Sequence, residues 1–114
     1  MKALKLIKSQ KNFLNRLNSK TTSKEQAQWL LDNSSSAQVK ALSEICMNVM
    51  RGNIELTPDV RSKLVKHKNC LRLLASVHVK EYTINKKREC LKNVHLITTM
   101  VRAAMPTLED IYQS

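Results

Sequence analysis

The residues with the clearest chemical use in this sequence are lysines and arginines spaced along two stretches with helical periodicity. Between Val60 and Arg72 the chain has five basic residues and no acidic one. Long cationic side chains on a rigid helix are suited to contacting phosphates. A solvated helix face is the ordinary alternative for a charge run, but unrelieved like charge on one helix is repulsive and needs an external counter-charge. We therefore predict a polyanion-binding surface made of Arg61, Lys63, Lys66, Lys68, Arg72, Lys86, Lys87, Arg88 and Lys92.

Metal and covalent chemistry have weaker support in the sequence. His67 and Cys70 lie three residues apart, which would place two metal ligands on one helix face, but no C-x-x-C pair accompanies them. With one glycine in the chain there is no Gly-rich phosphate loop, no G-x-S-x-G motif and no local Cys-His-acid grouping. We expect no metal site, no cofactor and no enzymatic activity.

The charge of the whole chain is strongly positive and unevenly distributed. The sequence has 20 Lys and Arg residues against 9 Asp and Glu, a formal net charge of +11. Residues 1–24 carry seven basic and no acidic side chains, and residues 60–114 carry eleven basic and four acidic ones, whereas the middle of the chain is mildly acidic. Nucleic acid, an anionic membrane surface or an acidic protein would each suit this charge, and the field would be one-sided if the two ends meet in space.

Sequence-specific reading of bases has little support. Trp29 and Phe13 lie in apolar patterns and are predicted to be core residues, which leaves Tyr82 and Tyr112 as the plausible platforms for base stacking. Contacts to the phosphate backbone with low sequence specificity are therefore the favoured mode of binding.

The elements that must position these cations are predicted to be helices within a single all-α domain covering residues 1–114. Hydrophobic residues make up 42% of the chain, while one glycine, two prolines and 4% aromatics leave little material for sheets. We predict a compact bundle of five helices followed by a short C-terminal helical turn.

Local signals set the expected helix boundaries. The first helix is expected from about Lys2 to Leu17, packed on the bundle, with a position on an anionic membrane as the alternative. Ser23 with Gln26, and Ser35 with Gln38, are typical of capping boxes that open the next two helices, and Gly52 with Asn53 is expected to end the second of them. Thr57, Pro58 and Asp59 are typical of the start of a long fourth helix. Thr83 is expected to cap the last long helix, after an extended or loop segment over residues 76–82, and Pro106 to close it, with Thr107 and Asp110 capping one further turn.

The remaining composition bears on compartment and association. Three cysteines in apolar helical patterns favour a reducing, intracellular location. The apolar residues of the N-terminus are interrupted by lysines, so no signal-peptide core is expected, and no apolar run approaches a membrane span. A homodimer through the last helix is a further expectation, if Ile97, Met100 and Met105 are exposed until paired.

The segment from Leu42 to Lys92 resembles a group of small basic proteins of Polinton-type elements and adenovirus-like viruses of animals. The matching residues are Gly52, Asn53, Leu56, Pro58, Leu64, His67, Lys68, Leu71, Leu74, Lys86, Lys87 and Arg88. The chain departs from the group after Lys92, where the amphipathic stretch Val94 to Met105 takes the place of a Gly-Gly-Phe motif and an apolar tail. The resemblance implies a genome-associated or virion core protein acting in the nucleus or the virion.

The sequence therefore favours one function and leaves one alternative. The first is a nucleic-acid-binding protein that contacts phosphates through basic helices. The alternative is a helical adaptor that binds a host factor or a capsid protein through an acidic surface of that partner. Salt sensitivity of binding distinguishes them, because phosphate contacts release counterions and weaken steeply as salt rises.

Overall fold

The computed structural model of the chain describes residues 4–76 and 81–113, and within these ranges it contains helices and connections but no strand. The helices are α1 (Leu4–Ser9), α2 (Lys11–Asn18), α3 (Lys24–Asp32), α4 (Ser36–Met50), α5 (Pro58–Val65), α6 (Lys68–Ala75), α7 (Glu81–Cys90) and α8 (Val94–Gln113). The predicted all-α class is confirmed. The five helices and C-terminal turn are replaced, in the described ranges, by these eight helices. Residues 2, 3 and 77–80, which belonged to two of the predicted segments, lie outside the described residues.

The predicted helix starts at Ser23, Ser35 and Thr57 are confirmed. Ser23 accepts a hydrogen bond from the Gln26 backbone N–H at 3.1 Å, and the Gln26 side chain accepts one from the Ser23 backbone at 2.9 Å. Ser35 and Gln38 form the same reciprocal pair at 3.1 and 2.8 Å. Thr57 Oγ1 accepts from Val60 N at 3.3 Å, with Pro58 in the first turn. These bonds satisfy backbone donors that would otherwise lack partners at each N-terminus.

The predicted stop after α4 is also present and has the geometry of a Schellman motif. Asn53 N donates to Asn48 O at 3.0 Å and Gly52 N donates to Val49 O at 3.2 Å. Gly52 has a φ of 77°, the left-handed conformation that this motif requires and that glycine adopts without steric cost. The turn directs the chain back so that Ile54 enters the core, where it is 3% exposed.

We expect Gly52→Ala to lower the free energy of unfolding by about 1 kcal/mol, because an L side chain is disfavoured at this φ. No atom lies within 4 Å of the added Cβ, so steric overlap adds nothing. Urea denaturation followed by circular dichroism measures the change. Gly52→Asn, which tolerates the left-handed region better, should cost less than alanine, and an alanine variant as stable as the wild type would contradict this account.

Three long helices predicted from the apolar periodicity are interrupted, and the interruptions follow the packing. The first breaks at Gln10, where α1 packs on α4 and α8 while α2 packs on α3 and α8. The predicted fourth helix breaks at Lys66 and His67, because α5 packs on α8 whereas α6 packs on α4 and α7. Thr83 lies inside α7 rather than at its start, and α7 ends at Cys90, before α8 begins. A break lets each half follow a different neighbour, which periodicity alone does not reveal.

Pro106 does not end the last helix, contrary to the prediction. Helix α8 continues through Pro106 to Gln113, so Thr107 and Asp110 lie within it and do not cap a separate turn. Pro106 is exposed, and the helix beyond it is held by Leu108, which is fully buried. The free energy gained by burying Leu108 offsets the cost of the backbone hydrogen bond that the helix lacks at the proline.

The core is one cluster of apolar side chains in which α4 and α8 are the main elements. Ile45 on α4 and Ile97 and Met100 on α8 are each 0% exposed, and Met105 is 6% exposed. The apolar residues expected to mediate a dimer are therefore already buried in the same chain, and that basis for a homodimer is wrong. No helix in the described residues is long and apolar enough to cross a membrane.

Candidate nucleic-acid interface

One exposed side of α8 forms the centre of a basic surface. His95 and Arg102 are exposed and lie seven residues apart, which is about two helical turns and about 10 Å along the axis. They point to the same side because seven residues return a helix almost to its starting direction. Helix α8 packs on α2, α3 and α5, so it places this side between basic residues from both ends of the chain.

On one flank of α8 lies the end of α5. Lys63, Lys66 and His67 line a cleft of about 240 Å³ together with His95 and Thr99 of α8. Lys63 lies in the last turn of α5, whereas Lys66 and His67 lie in the turn where the predicted fourth helix breaks, so the break contributes to the surface.

On the other flank lies the connection between α2 and α3. Lys24 shares a cleft of about 310 Å³ with His95 and Arg102, and Lys20 shares one of about 570 Å³ with Arg102. A further cleft of about 560 Å³, lined by Arg16 and by neutral polar side chains, adjoins them through Ser19 and Thr22.

These four adjoining clefts define a surface that we call the basic face: Arg16, Lys20, Lys24, Lys63, Lys66, Arg102, His67 and His95. No Asp or Glu side chain is among the residues lining any of the four. Lys63 pairs with Asp59 at 3.3 Å, but both side chains are more than half exposed, so the pair is weak. The other five lysines and arginines are exposed and form no ion pair with a described carboxylate. The two basic ends of the sequence do meet in space.

The nine cations predicted from the sequence are distributed over several parts of the molecule. Lys63 and Lys66 belong to the basic face. Arg61 on α5 and Lys68 at the start of α6 line a different, apolar groove. The other exposed members of the set line none of these clefts: Arg72, Lys86 and Lys92.

Lys87 is buried and is not available to bind phosphate in this structure. It is 2% exposed, and its Nζ donates to Ser43 Oγ at 3.0 Å and to the Ser76 carbonyl at 2.7 Å. Removal from water lowers the pKa of this ammonium. The predicted cluster of three consecutive cations cannot share one helix face, because neighbouring residues point about 100° apart. The middle residue of the cluster points inward.

Arg88 has a structural contact that the sequence did not indicate. One guanidinium nitrogen donates to the carbonyl and to the hydroxyl of Ser34, at 2.6 and 3.1 Å. These bonds join α7 to the connection between α3 and α4. They also give the buried carbonyl and hydroxyl oxygens of Ser34 a hydrogen-bond donor. Arg88 is half-buried, so its main role in this structure is to hold these elements together.

The three cysteines are free thiols brought close together by α4, α6 and α7. Cys46 Sγ donates to the Leu71 carbonyl at 3.2 Å, and Cys90 Sγ donates to the Cys70 carbonyl at 3.3 Å. Burial raises the pKa of Cys46 and that of Cys90 to about 12. Because the thiolate is the nucleophile and the metal ligand, these two thiols are poor candidates for either chemistry. No group of three potential metal ligands is found within the described residues.

We expect the raised pKa of Cys46 to make the fold lose stability in alkali. The folded thiol keeps its proton up to about pH 12, whereas an unfolded cysteine loses it near pH 9.0. The stabilisation is complete below pH 9 and declines as the pH rises towards 12, by about 1.4 kcal/mol per pH unit. Urea denaturation between pH 8 and pH 11 measures the slope. Cys46→Ala should reduce this alkaline decline, and an identical slope in the variant would contradict the assignment.

The aromatic residues agree with expectation only in part. Phe13 is 6% exposed, as predicted, but Trp29 is 62% exposed because α3 directs Ala27, Leu30 and Leu31 into the core instead. The Tyr112 ring is half-buried beneath Lys11 Nζ, 5.3 Å from the ring centroid, and its hydroxyl is buried without a partner among the described residues. Tyr112 is therefore poorly placed to stack on bases, and the side chain of Tyr82 lies outside the described residues.

Sequence reasoning missed Arg16, Lys20, Lys24 and Arg102 as members of a site. The signal that could have found the first three is the N-terminal stretch of seven basic residues without an acid. Arg102 could have been found from its spacing to His95 on the polar side of α8. What the sequence did not contain was which elements pack on that side of α8.

The fold and its surface define a small all-α protein with one continuous basic face and no carboxylate in its clefts. No protein-family model, curated protein or solved structure matches the chain.

Proposed function

We propose that this protein is a non-enzymatic nucleic-acid-binding protein that contacts phosphates through the basic face. The observation that carries the proposal is the set of four adjoining clefts, in which cations from residues 16–24, 63–66 and 102 converge and no carboxylate is present. Convergence of exposed cations raises the local positive potential, which attracts a polyanion and accelerates its association.

Polar side chains within the basic face support contact with the backbone of the nucleic acid. The cleft beside Arg16 is lined by amide and hydroxyl groups, and such groups donate to phosphate oxygens in protein–nucleic acid complexes. Their positions are Asn12, Asn15, Ser19, Thr21, Thr22 and Gln26. Aromatic stacking would come from Trp29, one turn further along α3 than Gln26, rather than from the predicted tyrosines. Contacts to phosphates and stacking on base faces do not distinguish the bases by their edges, so we expect low sequence specificity.

The biological setting that we propose is the genome of a virus or a mobile element, in the nucleus or the virion. The support is the resemblance of the segment from Leu42 to Lys92 to the basic proteins of Polinton-type elements. The turn at Gly52 and Asn53 and the cap at Thr57 and Pro58, which carry the most specific part of that resemblance, form well-defined structural elements here. They position α5 and therefore Lys63 and Lys66.

A salt titration of the purified protein tests the function. Two DNA duplexes of unrelated sequence and one RNA hairpin would be titrated between about 50 and 200 mM salt, since each phosphate contact contributes about 0.9 to the slope of log K against log salt. We expect a slope of about 3 to 5, with similar affinities for the two duplexes. A slope near zero, or binding of one duplex alone, would contradict the proposal.

A further inference from the structure

An apolar groove lies on the side of α5 that faces away from the basic face. It has a volume of about 270 Å³ and is formed between the end of α4 and helices α5 and α6. Its floor consists of Ile54, Leu64 and Leu71, which are 3%, 3% and 5% exposed. At its edges, Met50 and Val65 are 45% and 59% exposed, although large apolar side chains are normally placed inside.

Two cations line this groove and no carboxylate does. Arg61 and Lys68 are among its lining residues, and neither forms an ion pair with a described carboxylate. An apolar floor with a cationic border is complementary to a segment that carries large apolar side chains next to carboxylates.

We propose that this groove docks an acidic amphipathic segment of a partner protein, with leucine-like side chains in the groove and carboxylates facing Arg61 and Lys68. This goes beyond nucleic-acid binding, because the groove and the basic face are separate surfaces on opposite flanks of α5.

Other occupants fit the groove less well. A nucleic acid would have to place phosphates against Ile54 and Leu71, where they would lose hydration without gaining polar partners. A second copy of this chain, related by a two-fold axis, would bring Arg61 and Lys68 close to their own equivalents, on molecules that each carry a net charge of +11. An acidic amphipathic segment covers the apolar floor, which a nucleic acid would not, and neutralises Arg61 and Lys68, which a second copy would not.

The experiment uses three synthetic helix-forming peptides and the full-length protein. The first peptide carries leucines at helical spacing with glutamates beside them, the second has lysines in place of the glutamates, and the third has serines in place of the leucines. Fluorescence anisotropy of labelled peptide measures affinity, and nitrogen–proton correlation spectra locate the binding site. We expect the first peptide to bind at least about tenfold more tightly than either of the others, the size of effect that one good contact of about 1.4 kcal/mol produces.

Variants of exposed residues separate docking from folding. The double variant Met50→Ser, Val65→Ser should weaken binding of the first peptide at least about tenfold, while circular dichroism shows the fold intact. Trp29→Ser, which removes an exposed apolar side chain elsewhere, should change it less than about twofold. Arg61→Gln with Lys68→Gln should reduce the preference for glutamate over lysine peptides, whereas Lys40→Gln with Lys92→Gln, an equal change in net charge, should retain it.

The outcomes that overturn the proposal are distinct from those that test nucleic-acid binding. Equal affinity for the glutamate and lysine peptides would contradict the docking proposal. Peptide binding that is unaffected by the Met50 and Val65 changes would also contradict it. A dimer that the same changes dissociate would assign the groove to a second copy. Loss of DNA binding in the Met50→Ser, Val65→Ser variant, which leaves the net charge unchanged, would assign the groove to nucleic acid instead. If peptide docking holds while the DNA salt slope is flat, only the proposed function of the basic face fails.

Discussion

Replacing Lys24, Lys66 and Arg102 together by glutamine is expected to weaken DNA binding by a few hundred-fold at 0.1 M salt. All three are exposed and come from separate parts of the basic face. Each phosphate contact contributes about 0.9 to the salt slope, which corresponds to roughly eightfold in affinity between 1 M and 0.1 M salt. Three lost contacts should therefore also reduce the slope by about 2.7. Electrophoretic mobility shift or anisotropy titrations over a salt series measure both quantities.

The matched control makes the same change of net charge elsewhere on the surface. Lys40, Arg72 and Lys92 are exposed and line none of the four clefts, so replacing them by glutamine should weaken binding by less than about tenfold and leave most of the slope. Two of these residues belong to the set predicted from the sequence alone, so the comparison also decides between that set and the assembled face. If both triple variants lose affinity equally, binding depends on total charge and the basic face has no special role.

Truncating the centre of the core should have the largest effect on stability. Ile45 is 0% exposed on α4, and removing its side-chain carbons to give alanine leaves a cavity as well as losing burial. We expect Ile45→Ala to lower the free energy of unfolding by about 2 to 5 kcal/mol, a large part of the total for a domain of this size. Urea denaturation at neutral pH measures the loss.

Trp29→Ala provides the contrasting measurement. Trp29 is the larger residue and was predicted to be in the core, but it is 62% exposed. Its replacement should change stability by no more than about 0.5 kcal/mol, as is usual for surface positions. A loss at Trp29 comparable to that at Ile45 would show that the indole is covered and that the placement of α3 is wrong.

The sequence predicted the helical class and the features of the fold that depend on near neighbours. The caps at Ser23, Ser35 and Thr57 are bonds between residues three apart, so the local chain contains all that is needed to foresee them. The same holds for the stop at Gly52, where the left-handed conformation favours glycine.

Features that depend on distant neighbours were missed. The interruption at Gln10 and the continuation through Pro106 are decided by which helices pack on each side. The inward position of Lys87 depends on Ser43, 44 residues away along the chain. The basic face was foreseen only as a possible meeting of two basic ends, because nothing local to Arg102 indicates that Lys20 and Lys24 lie across a cleft from it.

Helix α5 separates the two proposed binding surfaces, and Leu64 lines both the apolar groove and a cleft of the basic face. Any shift of this eight-residue helix caused by one ligand is therefore transmitted to the site of the other. Thermodynamic linkage then requires reciprocity: a peptide that alters DNA affinity by some factor must have its own affinity altered by DNA by that same factor. If both proposals hold, one short helix makes nucleic-acid binding at the basic face and peptide binding in the groove depend on each other.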